Sequence, residues 1–308
     1  MKHLFSIFSL LGLIGLSQNA AKVSASEIAV SIKPLHSLVT GVAGNTAKPY
    51  LLVAGNSSPH GFKFKPSQLV VLSTAKIIFY IDEDFETFME NALNSIPKSV
   101  KKVAVAKRGR VQFLPLRKGG AWEKEKHDGH NHGHDHGSND MHVWLDPKNA
   151  VRMAKGIVRA LSKVFPENKE IYRSNARKLV GSISKADQEL ENYFGKGKTR
   201  PFIVFHDAYQ YFEKRYGLEG VGSITFDPHD FPSSKRLREV RKKLRTTKAA
   251  CVFKEPQFSD RLVKTVVQGT SAKIVSLDPL GSSIKAGPEM YLSLIRQTRD
   301  SFTQCFQH

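Results

Sequence analysis

Ile28, Val30 and Ile32 stand at alternate positions over residues 27–33 (Glu-Ile-Ala-Val-Ser-Ile-Lys), the two-residue period of a strand. At residue 34 the period changes, and Leu35, Leu38, Val39 and Val42 keep helical spacing to residue 43. Tyr50–Val53 reads as a short strand closed by a Gly-Asn-Ser-Ser-Pro turn. Residues 67–75 read as a helix capped by Ser67, and Ile77–Ile81 as a buried strand. Residues 85–93 add a helix and 103–105 a strand. Further on, Asp146 offers an N-cap to a helix with Pro147 in its first turn, running to Phe165 and stopping at Pro166. From Ile171 through Leu179, Ile183 and Leu190 to Tyr193, apolar residues recur at spacings of mostly three and four. That pattern predicts one amphipathic helix over 167–194, about 42 Å long, ended by Gly195 and Gly197. Strands at 202–205, 221–226, 250–254 and 273–277 then alternate with helices at 208–216, 233–245, 259–268 and 288–304.

Strands alternating with helices on both sides of one long helix predict an α/β fold of two lobes. Each lobe is expected to be a small parallel sheet flanked by helices. The expected boundaries are 26–165 for the first lobe, 166–195 for a rigid linking helix and 196–308 for the second lobe. Residues 117–140 break the pattern. They are rich in Gly, Lys, Asp and His with little to bury, and read as a mobile surface loop.

Residues 1–25 read as a cleavable signal peptide: a short basic start, an apolar run over Leu4–Leu16 and small residues at Val23-Ser24-Ala25. The apolar run is short of the ~20 residues a spanning helix needs, which disfavours the alternative of a membrane anchor. No later segment is long and apolar enough to span a bilayer, so the exported mature chain is expected to be soluble, without stable membrane insertion. Hydrophobic residues at 40% and charged residues at 24% exclude a disordered chain. Losing Lys2 and Lys22 with the leader lowers the formal charge from +19 to +17. Its cations are spread along the chain without a nucleic-acid motif, so nucleic acid is not an expected partner. An exported chain meets oxidising conditions, which predicts a Cys251–Cys305 disulfide, two free thiols being the alternative.

The twelve histidines carry the candidate chemistry. His206 closes the strand 202–205, His60 follows the strand 50–53 across a turn, and His142 stands just before Asp146 and its helix. Asp278 closes the strand 273–277. Ligands of open parallel sheets bind beyond the carboxyl ends of strands, so lobes that face each other would bring these four together. Three neutral imidazoles and one oxygen suit Zn²⁺ and argue against Ca²⁺ and Mg²⁺. His127, His130, His132, His134 and His136 form a second set within ten residues, interleaved with Asp and Gly. That loop reads as a weaker, auxiliary metal site, or as a solvated loop with no further role. His36 reads as a packed side chain; His229 and His308 are unassigned.

Several short motifs occur in order along the chain. They include Pro34-Leu35-His36-Ser37, Ser58-Pro59-His60, His142-Val143-Trp144-Leu145-Asp146-Pro147 and Phe205-His206-Asp207-Ala208-Tyr209. Glu255-Pro256-Gln257-Phe258 and Leu277-Asp278-Pro279-Leu280-Gly281 follow. Together they resemble the ZnuA family of zinc-uptake proteins, within the metal-binding cluster of periplasmic solute-binding proteins. The resemblance implies a metal between two lobes held by a rigid helix, with His60, His142 and His206 as ligands. It implies delivery of Zn²⁺ to an ABC importer, a membrane permease with its cytoplasmic ATPase, by a protein that is not an enzyme and is expected to be a monomer. The His-rich loop and the cysteine pair also resemble the zinc branch. Some relatives have glutamate before the first ligand histidine; here that position is Pro59, which leaves water or Asp278 as candidates for the fourth ligand. A manganese receptor of the same family, a secreted zinc hydrolase and a basic surface adhesin are the competing readings. No His-Glu-x-x-His helix supports the hydrolase.

Overall fold

A computed structural model describes residues 26–122, 137–197, 199–226, 228 and 231–307. The expected leader 1–25, the histidines at 127, 130, 132, 134 and 136, and His229 and His308 lie outside the described residues.

The first half contains β1 (Ile28–Val30), α1 (Lys33–Ala43), β2 (Tyr50–Leu51), α2 (Pro66–Thr74), β3 (Ile77–Tyr80), α3 (Glu90–Ser95) and β4 (Lys101–Ala104). It continues with α4 (Val105–Gly109), β5 (Leu114–Pro115), β6 (Asn139–Asp140) and α5 (Pro147–Val164). The long α6 (Lys169–Lys196) follows. The second half contains β7 (Phe202–His206), α7 (Gln210–Tyr216), β8 (Gly220–Thr225), α8 (Ser234–Thr246) and β9 (Cys251–Lys254). It ends with α9 (Arg261–Val267), β10 (Lys273–Ser276) and α10 (Met290–Phe306).

Two four-stranded parallel sheets result, ordered β2-β1-β3-β4 and β10-β9-β7-β8. The lobes therefore share one topology: the first strand of each half pairs with the second on one side and the third on the other. One apolar core runs through both halves, from Val30 and Phe79 through Trp144 and Ile183 to Phe253 and Phe302. The outer face of each sheet has its own smaller cluster, around Ile78 and Leu72 in one lobe and Val252 and Val240 in the other. Within the shared core, α6 turns Tyr172, Leu179, Ile183, Leu190 and Phe194 inward. The disulfide Cys251–Cys305, with Cα atoms 5.7 Å apart, ties α10 to β9.

Several local expectations are corrected. Pro66, not Ser67, opens α2; Gln68 Oε1 accepts the Lys65 backbone N–H at 2.9 Å, so the side chain at the third helical position satisfies the N-terminus. Phe85 belongs to a turn rather than a helix. The buried Glu86 carboxylate accepts the backbone N–H groups of Ile81 and Asp82, folding residues 81–86 back on themselves before α3. Gly195 lies inside α6, which ends only at Gly197, and Ile171 and Tyr193 are exposed although they keep the apolar period. Of the stretch 117–140, residues 117–122 and 137–140 are described, and they pack against the fold instead of forming a free loop. There Leu114 and Pro115 pair antiparallel with Asp140 and Asn139, and Ala121 and Asp140 are buried. The Arg117 guanidinium pairs with Asp207 and Glu213 and stacks over Trp122 at 3.5 Å.

Candidate metal centre

His206 is the last residue of β7, in register with Thr225 of β8, so the strand's own direction carries its ring to the carboxyl end of the sheet. His142 lies two residues beyond β6 and opens a short 3₁₀ turn, Val143–Leu145, that feeds α5. The Asp146 side chain caps α5 by accepting the Lys148 N–H at 2.8 Å, as its sequence position predicts. His60 comes from the loop after β2, its N–H held by Ser58 Oγ at 3.2 Å.

These three rings, from both halves of the chain, meet. Their centroids lie 5.2–5.6 Å apart, and one nitrogen from each falls within 4.8 Å of the others. The Nε2 atoms of His142 and His206 are 3.3 Å apart. Two nitrogens on a tetrahedral Zn²⁺ with bonds of about 2.0–2.1 Å would stand about 3.3–3.4 Å apart. The outward nitrogens are already committed. His142 Nδ1 lies 2.8 Å from Asp140 Oδ1, and His206 Nδ1 lies 2.7 Å from Glu255 Oε1. A carboxylate accepts only, so each Nδ1 carries the proton and each Nε2 turns a lone pair inward. Two lone pairs facing each other need a cation between them.

Aromatic rings wall one side of the site. Phe85 packs edge-on against His60 and His142 at 5.3 and 5.4 Å, and Trp144 covers His142 and donates to the Pro279 carbonyl at 2.8 Å. A cavity of about 10 Å³ remains among the histidines, Phe85, Trp144, Glu255 and Leu280. That is about the smallest space that holds one water. Burial would lower the His206 pKa, but the Glu255 charge and hydrogen bond outweigh it and leave the ring more basic than an ordinary histidine.

Asp278 stands apart from this group. Its Oδ1 accepts from Leu280 N, Gly281 N and Gln257 Nε2, and its Oδ2 from Ser282 N and Oγ. Both oxygens are spent on the loop after β10, so the carboxylate shapes that loop instead of reaching the metal position. His36 packs inside, its Nε2 at 3.0 Å from the Pro49 carbonyl. The sequence assigns no role to the carboxylates that orient the rings, Asp140 and Glu255, although Glu255 opens one of the motifs that carry the resemblance. A signal existed for each: Glu255 directly follows β9, and Asp140 precedes His142 by two positions.

Known proteins resemble this chain over nearly its whole length. The profile of the family "ZnuA: Zinc-uptake complex component A periplasmic" matches residues 28–305. The chain belongs to this family. Among curated ZnuA proteins, the high-affinity zinc uptake system protein of Brucella abortus is 37% identical over 99% of both chains. That of Yersinia pestis is 28% identical over 94% of both. A crystal structure of ZnuA superposes with a TM-score of 0.76 at 26% identity, covering 92% of this chain and all of that one. A zinc-bound deletion mutant of ZnuA superposes equally well, at 25% identity, covering 92% of this chain and 99% of that one. The periplasmic zinc-binding protein TroA of Treponema pallidum, at 18% identity and a TM-score of 0.77, shares the fold over 92% of this chain and 99% of its own. For this ZnuA-family chain, three facing imidazoles with room for one water among them form a donor set whose chemistry suits a borderline cation.

Proposed function

We propose that the chain is the periplasmic receptor of a zinc-uptake system, which captures Zn²⁺ as cargo and delivers it to an ABC importer of the inner membrane. The cargo binds Nε2 of His142, Nε2 of His206 and a ring nitrogen of His60, in the cleft between lobes 26–165 and 196–308, with water as fourth ligand. The observation that carries this reading is the pair of inward Nε2 atoms 3.3 Å apart, each fixed by a carboxylate on the opposite nitrogen. Asp140 and Glu255 also bring one negative charge each to a site that takes a dication. Nitrogen donors favour zinc over manganese, which prefers oxygen. Residues 1–25 act as the export signal, the mature protein works as a monomer, and His127, His130, His132, His134 and His136 form a weaker auxiliary site. Competition titration tests the assignment: His206→Ala weakens tight zinc binding by more than about 100-fold. Unchanged affinity rejects it. A zinc-edge absorption spectrum of the loaded protein is expected to show nitrogen and oxygen neighbours only.

A further inference from the structure

The metal cleft makes no use of the chain's large positive charge, which the second lobe concentrates on one helix. Lys235, Arg238, Lys242 and Arg245 of α8 stand at spacings of three, four and three, so they share one stripe of the helix. All four are exposed, whereas Arg236, Val240 and Leu244 are buried on the opposite face. Lys243 and Lys248 are also exposed, and Glu239 is the single acid of residues 234–248. Among the described residues, none of these six cations has a salt-bridge partner. Three residues before α8, Phe231 is 89% exposed, far more than any other large apolar side chain described.

Packing of the lobe explains the buried face of α8 and leaves the stripe without a structural role. Tight protein interfaces centre on apolar anchors and are poor in lysine. The stripe has no apolar centre, and its aromatic companion sits at one end. Long cationic side chains beside a solvent-exposed aromatic match a phospholipid surface, where the cations meet phosphates and the ring enters the headgroup region. We propose that α8 and Phe231 form a membrane-contact face that binds anionic phospholipid.

This proposal rests on the periplasmic receptor reading and adds where the receptor waits. The segment that carries the face starts at the metal cleft: Thr225 pairs with His206, and Phe226 and Pro228 line a cavity of about 80 Å³ beside His60, His142 and His206. Contact through Phe231 holds the rim of the cleft near the bilayer that contains the importer, and converts a search in volume into a search on a surface.

The test is sedimentation of the mature full chain with vesicles, with and without zinc. Vesicles of phosphatidylglycerol and phosphatidylethanolamine are compared with vesicles of phosphatidylcholine alone. The protein is expected to bind the anionic vesicles only, and more weakly as salt rises. Each surface cation contributes roughly fivefold to partitioning, so K235Q/R238Q/K242Q/R245Q loses about 100-fold or more. Phe231→Ser loses severalfold. An unchanged zinc titration shows that both variants are folded. K101Q/R108Q/R110Q/K163Q removes equal charge from the first lobe, where Lys101, Arg108 and Lys163 line a separate cavity of about 340 Å³. It is expected to keep most of the binding. No binding of the wild type to anionic vesicles overturns the proposal. So do equal losses in the two quadruple variants, which would mean net charge alone, and binding retained when the α8 stripe is neutralised. A chain that binds vesicles but no zinc would instead reject the receptor reading and leave the membrane face standing.

Discussion

Replacing Glu255 by glutamine perturbs the proposed zinc site without touching a ligand. Glu255 is 2% exposed and its Oε1 lies 2.7 Å from His206 Nδ1. In Glu255→Gln the volume stays the same, but the charge-assisted hydrogen bond becomes a neutral one and the imidazole loses its preference for the inward lone pair. Loss of such a carboxylate partner lowers metal affinity by about 10–100-fold, equivalent to roughly 1.4–2.7 kcal/mol. The pH dependence runs the other way. In the wild type, Glu255 raises the His206 pKa against burial, so protons compete with zinc from above the ordinary histidine range downward. Without the carboxylate charge, burial lowers that pKa, and competition is postponed to more acid solution. Affinity of wild type and variant is measured with a competing chelator from pH 5.5 to 8. The variant is expected to bind at least about tenfold more weakly at pH 8, with the gap narrowing on acidification. Equal affinities at pH 8, or a gap that widens as pH falls, would refute the argument that the Glu255–His206 contact sets the donor.

Other consequences are measurable on the same protein. Opening the disulfide, which closes a separation of 54 residues, by Cys251→Ser with Cys305→Ser is expected to cost about 4 kcal/mol in urea unfolding under oxidising conditions. A loss below about 1 kcal/mol would show that the crosslink restrains the unfolded chain little. Burial holds the His36 pKa below its usual value, so the unfolded chain takes up a proton first as pH falls below about 6.5. Stability there should drop by at most about 1.4 kcal/mol per pH unit on this account, and His36→Gln should flatten that slope; an unchanged slope contradicts it. Replacing residues 123–136 by a short glycine-serine linker spares Ala121, whose carbonyl accepts from Arg236 at 2.6 Å. Calorimetry is expected to find one tight zinc equivalent kept and the weaker ones gone, and loss of the tight one would refute the division of roles.

The order of strands and helices was legible because strands buried on both faces leave short, nearly unbroken apolar runs such as Ile77–Ile81, and the long helix because its apolar period persists over many turns. The two-residue strands β5 and β6 and the five-residue α4 are too short for any period to emerge. They form because the chain around them packs. Gly109 and Gly156 let α4 and α5 touch, and a Cβ on either glycine would approach the other helix's backbone to 3.0 Å. The histidines could be found from strand ends. Asp278 stood at an equally good strand end, yet its oxygens were claimed by nearby backbone N–H groups, a competition that strand position does not reveal. Asp140 and Glu255 show the converse. Their positions, after β9 and two residues before His142, mark them as near the site, but only the fold shows that each faces the back of a ring.

The three rings differ in how they are held, and that difference bears on release. A large hinge motion would have to open the core that α1, α6 and α10 share between the lobes. Lys33 adds to that constraint: it sits at the start of α1 in the first lobe, and its Nζ donates to the carbonyls of Gly281, Ser282 and Ile284 in the second. In the proposed site, coordination is therefore more readily broken at one ligand than by separating lobes. His142 and His206 are buried and braced by Asp140 and Glu255, on segments leading into α5 and out of β7. His60 is only half-buried and comes from the connection between β2 and α2. Bringing its nitrogen from within 4.8 Å of its partners to tetrahedral spacing takes at most about 1.5 Å, a displacement a loop makes without moving a lobe. In the proposed site His142 and His206 are therefore the braced donors, and His60 is the donor expected to move when the cation enters or leaves.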